Sequence, residues 1–125
     1  MSTGGLLLTG LAALLTAAGN LAMRAGVVEA GGLSMEPSAI LRELGQLARQ
    51  PTFDVGVALY GVASLVWFRI VSTESLSSSY PVLVSITFLM VTAGAGFFFR
   101  EPLQVQKLVG IGVVLAGIIL IATAK

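Results

Sequence analysis

The sequence predicts an all-α membrane protein: four transmembrane helices with an amphipathic interfacial helix between the first and second. Three observations carry this. Four apolar stretches cover more than half of the 125 residues, and none has an Asp or Glu in its middle. A membrane helix needs about 20 mostly apolar residues, a length each stretch reaches or approaches. Hydrophobic residues make up 56% of the chain and charged residues only 10%, with a mean hydropathy of +0.97. The predicted helices run over about 6–24, 55–71, 79–99 and 107–124, with the interfacial helix over about 37–50, in a single transmembrane domain of residues 1–125.

Helix one is rich in Leu, Ala and Gly, carries Thr16 and Asn20, and is expected to end near Arg24. Gly10, Ala13, Ala17 and Ala18 give it a small-residue surface, which lets helix backbones approach closely in lipid. The run has the length of a signal peptide. Its first five residues carry no side-chain charge, so the positive leading region is missing and the helix is expected to stay.

The first loop holds Gly31-Gly32, then Ser34-Met35-Glu36-Pro37, then a periodic segment. Ile40, Leu41, Leu44, Leu47 and Ala48 recur at helical spacing, with Arg42, Glu43, Gln46, Arg49 and Gln50 opposite. Pro37 suits a first turn and Pro51 is expected to end the run. Such a helix lies in the membrane interface or packs over the bundle as a lid.

Helix two carries Tyr60, Ser64 and Trp67, then Arg69 near its end; Trp67 and Arg69 read as interfacial anchors. A polar turn follows, and Tyr80-Pro81 opens helix three. Proline fits a first turn because its missing N–H has no intrahelical partner there. An earlier start would place Pro81 inside the helix and free a carbonyl. Helix three carries Ser85, Thr87 and Thr92, and Pro102 stops it; Glu101 is expected to cap, or to pair with Arg100 or Lys107. On helix four, Gly110, Gly112, Ala116 and Gly117 make a candidate oligomer face.

Basic residues lean one way. Arg24, Arg42, Arg49, Arg100 and Lys107 flank the first and third loops, against Arg69 and Lys125 on the other side. This places those loops in the cytoplasm, although so weak a bias leaves dual insertion open. The net charge of +1 provides no surface for nucleic acid. With no Cys and no His, disulfides, thiol chemistry, the common zinc sites and haem held by a histidine are excluded. No cofactor and no metal is expected. Carboxylates at catalytic spacing are also missing, so the expectation is a protein that is not an enzyme.

Three segments resemble the drug/metabolite transporter superfamily in its four-helix branch, the small multidrug resistance-like and EamA-like proteins. They are Leu15-Thr16-Ala17-Ala18-Gly19-Asn20-Leu21-Ala22-Met23-Arg24, then Leu76-Ser77-Ser78-Ser79-Tyr80-Pro81-Val82-Leu83, then Phe99-Arg100-Glu101-Pro102-Leu103 followed by Gly110 to Ile118. They occur in the family's order and span most of the chain. Within the branch, the Ala-Gly-polar-Leu ending of helix one, the Ser-Tyr-Pro opening of helix three and the Glu-Pro turn resemble the undecaprenyl-phosphate-aminoarabinose flippase subunits. The multidrug members carry a membrane glutamate eight residues before a terminal lysine; here that position is Thr16. Thr16 offers only a hydroxyl, so neither proton antiport nor neutralisation of a cation has a donor.

The resemblance implies a bacterial inner-membrane, multi-pass protein that moves a polyprenyl-phosphate lipid. It also implies a homodimer or a heterodimer with a related four-helix subunit, surrounded by membrane lipids. Arginine suits phosphate because its fork presents several fixed donors. Arg24 and Arg69 are the first candidates for substrate contact, with Arg100 also at a helix end, and snorkelling anchors are the other reading of all three. Asn20 lies one turn before Arg24 and shares its face. Thr16, Tyr60, Ser64, Tyr80 and Ser85 would add neutral donors to a sugar. Other readings stay open: multidrug transport, transport of a small neutral metabolite, or a non-transporting membrane partner of a glycosyltransferase.

Overall fold

A computed structural model describes residues 2–124, and Lys125, counted above among the basic residues, lies outside them. Five helices follow one another: α1 (Thr3–Glu29), α2 (Ile40–Ala48), α3 (Pro51–Thr73), α4 (Leu76–Phe98) and α5 (Val105–Thr123). All but α2 are long and apolar enough to cross a membrane. The all-α architecture with a short, non-spanning helix between the first two spans is as predicted.

The spans alternate in direction. Ser2 begins α1, its hydroxyl accepting from the Gly5 N–H at 3.0 Å and donating to Glu74 at the end of α3 at 2.5 Å. That end of the bundle therefore holds the start of α1, the end of α3 and the start of α4. The other end holds Glu29, Pro51 and the α4–α5 loop.

α1 is the hub: it packs on α3 along most of its length and also on α4. Its buried face is Gly5, Thr9, Ala12, Ala13, Ala17, Gly19 and Gly26, a surface of small residues. Gly10, expected in that surface, has open space around it. Where α1 crosses α3, a Cβ on Gly19 would come within 2.9 Å of the Gly56 carbonyl oxygen. Backbone thus packs on backbone, as small residues allow in lipid. α3 and α4 touch only weakly, and α5 packs on α4 with no residue buried.

Several helix ends differ from the sequence reading. α1 continues past Arg24 to Glu29, because one polar residue does not interrupt its hydrogen bonds. It stops where Gly31 and Gly32 take φ of +90° and +88°, their N–H groups returning to Val28 and Val27. Pro51 both ends the α2 segment and opens α3 at its first turn. α4 begins at Leu76, so Pro81 lies inside it and the Ser77 carbonyl loses the N–H it would otherwise accept from.

α2 presents an exposed apolar face. Only Leu47 is buried, while Leu41 and Leu44 stay open, the surface an interfacial helix offers to lipid. The preceding loop is tied to α2 through Glu43, whose carboxylate accepts from the Ser34 N–H at 2.9 Å and the Ser34 hydroxyl at 2.6 Å. These bonds hold the Glu43 carboxyl below the usual range. A lowered folded value means the tether is fully present above the ordinary carboxylate pKa of about 4.3 and is lost as pH falls through the lowered one. Amide exchange at Ser34, corrected for its intrinsic pH dependence, is expected to accelerate in acid, and Glu43→Ala is expected to give the acid rate at pH 7. Exchange indifferent to both would reject the tether.

Candidate functional site

Because α3 and α4 barely meet, a seam opens between them, with α1 as its back wall. Two cavities occupy it. The larger, about 480 Å³, receives Thr16 and Asn20 from α1, Tyr60 from α3, and Tyr80, Thr87 and Thr92 from α4. The smaller, about 160 Å³, is lined by Ala12, Thr16, Tyr60, Ser64, Trp67 and Tyr80, among others. Thr16, Tyr60, Tyr80 and Leu83 line both, so the cavities form one path. On α1, residues 12, 16 and 20 fall at successive i+4 positions and line the path in turn. Asn20 is the last α1 residue of the lining, and Arg24 stands one turn, about 6 Å, beyond it along the helix.

The structure thus brings together Thr16, Asn20, Tyr60, Ser64 and Tyr80 from the predicted set. The Ser64 hydroxyl is occupied, donating to the Tyr60 carbonyl at 3.0 Å. The Trp67 and Tyr80 rings meet at a tilt, centroids 5.9 Å apart, in the wall of the smaller cavity. Ser85 sits on α4 outside both linings. Among the described residues no carboxylate enters either cavity, so the lining is uncharged.

The two arginines expected to bind substrate stand at opposite ends of the bundle. Arg69 lies near the Ser2–Glu74 end and Arg24 near the α4–α5 loop, separated by about 20 Å along the axis. They do not share one phosphate. Arg24 pairs with Glu101 at 2.8 Å and lies over the Phe99 ring, 5.1 Å from its centroid. This corrects the expectation that Glu101 caps or pairs with Arg100 or Lys107. The cause is local backbone: Arg100 takes φ +53°, turning the chain sharply so that Glu101 reaches back to α1. Its N–H closes the turn on the Ala95 carbonyl.

On α5, Gly112 and Ala116 occupy the open outer face, Gly117 is half-buried, and Gly110 lines a groove against α4.

Sequence reasoning gave Thr87 no role. Its hydroxyl oxygen is buried and has no hydrogen-bond partner, in a side chain that lines the larger cavity. Its place seven residues after Tyr80, two turns along the same face, was the available signal.

Comparison with known proteins finds no matching family model and no matching solved structure. The chain is 34% identical to the uncharacterized protein y4nH of Sinorhizobium fredii over 92 residues, 74% of this chain and 76% of that one. It is 32% identical over 113 residues to a protein of Erwinia tasmaniensis named probable 4-amino-4-deoxy-L-arabinose-phosphoundecaprenol flippase subunit ArnE, spanning 90% of this chain and 92% of the relative. The chain belongs to the ArnE family. A Pseudomonas fluorescens protein of the same name is 31% identical over 111 residues, 89% of this chain and 90% of that one. Like other members of the ArnE family, this is a multi-pass membrane protein, in keeping with the bacterial inner membrane.

Proposed function

We propose that this chain is a flippase subunit that moves the anionic headgroup of a glycosyl polyprenyl phosphate across the bilayer, without covalent chemistry. The observation that carries the reading is the continuous, uncharged seam into which Thr16, Asn20, Tyr60, Tyr80 and Thr87 bring polar groups, with Arg24 one turn beyond Asn20 on α1. Inside it, hydroxyls and the Asn20 amide replace water around a sugar without the several kcal/mol that an isolated buried charge costs. The tail stays in lipid while the head passes between α3 and α4. Arg24 and Arg69 receive the phosphate at the two membrane faces.

Membership of the ArnE family supports a lipid-linked substrate and a paired subunit. The seam is open on the side away from α1, and the Gly112–Ala116 face of α5 is free. A second four-helix chain, identical or related, closes the seam with α5 as its contact. The uncharged lining also suits a small neutral metabolite, which binds without any lipid tail.

Reconstitution with labelled glycosyl polyprenyl phosphate tests this. Headgroup exchange above that of protein-free liposomes is expected from the chain together with any four-helix protein that copurifies with it. Exchange at the protein-free level would reject the proposal, and binding of the free sugar alone would favour the metabolite. Arg24→Ala and Arg69→Ala are each expected to weaken phosphate-lipid binding about tenfold, the size of a lost charge-assisted hydrogen bond. Arg42→Ala, on the outer face of α2, is expected to leave it unchanged; equal losses in all three would contradict the arginine assignment.

A further inference from the structure

A groove of about 460 Å³ lies between α4 and α5. Its walls are apolar for most of their length, with Phe88, Val91 and Ala95 on one side and Ile111 and Val114 on the other. Charge enters through Glu101, in the α4–α5 loop, and Lys107, in the first turn of α5, which therefore stand at one end of the groove. There the Glu101 carboxylate is held by Arg24 at 2.8 Å. Among the described residues the Lys107 amine has only a long contact, 3.5 Å, to the Pro102 carbonyl. One ion pair, Arg24–Glu101, and one further cation, Lys107, therefore stand at the mouth of an apolar slot. Phe88, Val91 and Thr92 line the larger seam cavity as well, so one strip of α4 separates groove from seam.

We infer that Arg24, Lys107 and the α4–α5 groove form a site for a phosphate-terminated lipid, in which the Glu101 carboxylate holds the place of the phosphate. Carboxylate and phosphate offer a guanidinium the same kind of anionic oxygens. When a phosphate takes Arg24, Glu101 passes to Lys107, and no charge is left unpaired beside the bilayer. The exchange is easy because Arg24 and Glu101 are both partly exposed, 52% and 37%, and an exposed ion pair is weak. The apolar groove beyond the charges takes the chain of the lipid, which free phosphate lacks. This inference rests on the anionic-headgroup reading above and specifies how the site holds its substrate.

The test uses the full chain in phosphatidylcholine nanodiscs with farnesyl phosphate as probe, and farnesol and inorganic phosphate as comparators. Glu101→Gln is expected to tighten farnesyl phosphate roughly threefold to fivefold, the scale of an exposed ion pair, and Lys107→Gln to weaken it by a similar factor. Farnesol is expected to be indifferent to both. Gly110 has open space around it, so Gly110→Leu fills the groove without a clash and is expected to weaken farnesyl phosphate while leaving the helical circular dichroism intact. Affinity unchanged or weakened by Glu101→Gln overturns the inference. Inorganic phosphate binding as tightly as farnesyl phosphate overturns the lipid assignment. Headgroup exchange in the same membranes separates the two readings. Exchange intact with binding indifferent to Glu101 removes this site alone. No exchange despite tighter binding in Glu101→Gln removes the transport reading alone.

Discussion

Gly56→Leu is expected to abolish the native packing of the bundle. A Cβ at residue 56 would meet the Gly19 carbonyl oxygen and the Met23 backbone nitrogen, each at 2.7 Å. Both are main-chain atoms of α1, so no side chain can turn aside. The two helices must separate, and α1 is the helix on which both α3 and α4 rest. Overpacking a core with extra methylenes costs about 1–3 kcal/mol even where side chains can yield. A fall in Tm of roughly 10 °C or more follows for a chain of this size. Gly61→Leu, on the exposed side of α3, is the control, because nothing lies near that residue. It is expected to melt within about 2 °C of the parent, since surface changes rarely exceed about 0.5 kcal/mol. Thermal unfolding followed by circular dichroism in detergent checks both. A Gly56→Leu protein that melts with the parent would contradict the close approach of α1 and α3.

The spans were legible because hydropathy is a property of each residue and the bilayer fixes the length required. Their ends were less so. Arg24 looked like a terminus, yet a helix stops where backbone geometry changes, and that happens at Gly31-Gly32. Pro81 suited a first turn, but α4 starts at Leu76, three residues before the predicted start at 79. On α1 the cavity lining was readable from spacing at Thr16 and Asn20, which fall at i+4, while Arg24 at the next such position lies outside it. Which faces α3 and α4 turn toward that stripe was not readable, because both are apolar nearly all round. The pairing of Arg24 with Glu101 left no local trace either. Arg100 and Lys107 are nearer in sequence, and the positive φ at Arg100 that sends Glu101 across to α1 appears only in the folded chain.

Thr16→Glu is expected to stop headgroup passage and to create binding for a lipophilic cation. Thr16 is half-buried and lines both cavities, so any headgroup using the seam passes it. A carboxylate there repels phosphate at close range in a medium far less polar than water, where like charges interact strongly. The same charge sits beside Tyr60 and Tyr80, whose ring faces attract cations. Tetraphenylphosphonium is expected to bind at least about tenfold tighter than to the parent, a difference of about 1.4 kcal/mol. That gain is expected to disappear on acidification, because protonation removes the charge that creates it. Thr16→Gln has nearly the shape of the glutamate without its charge. It is expected to pass headgroups within a few-fold of the parent and to gain no cation binding. Equal arrest by Gln and Glu would assign the effect to bulk and remove the argument from a neutral lining. Passage at the parent rate in Thr16→Glu would show that the headgroup takes another route, whatever the affinity for the cation.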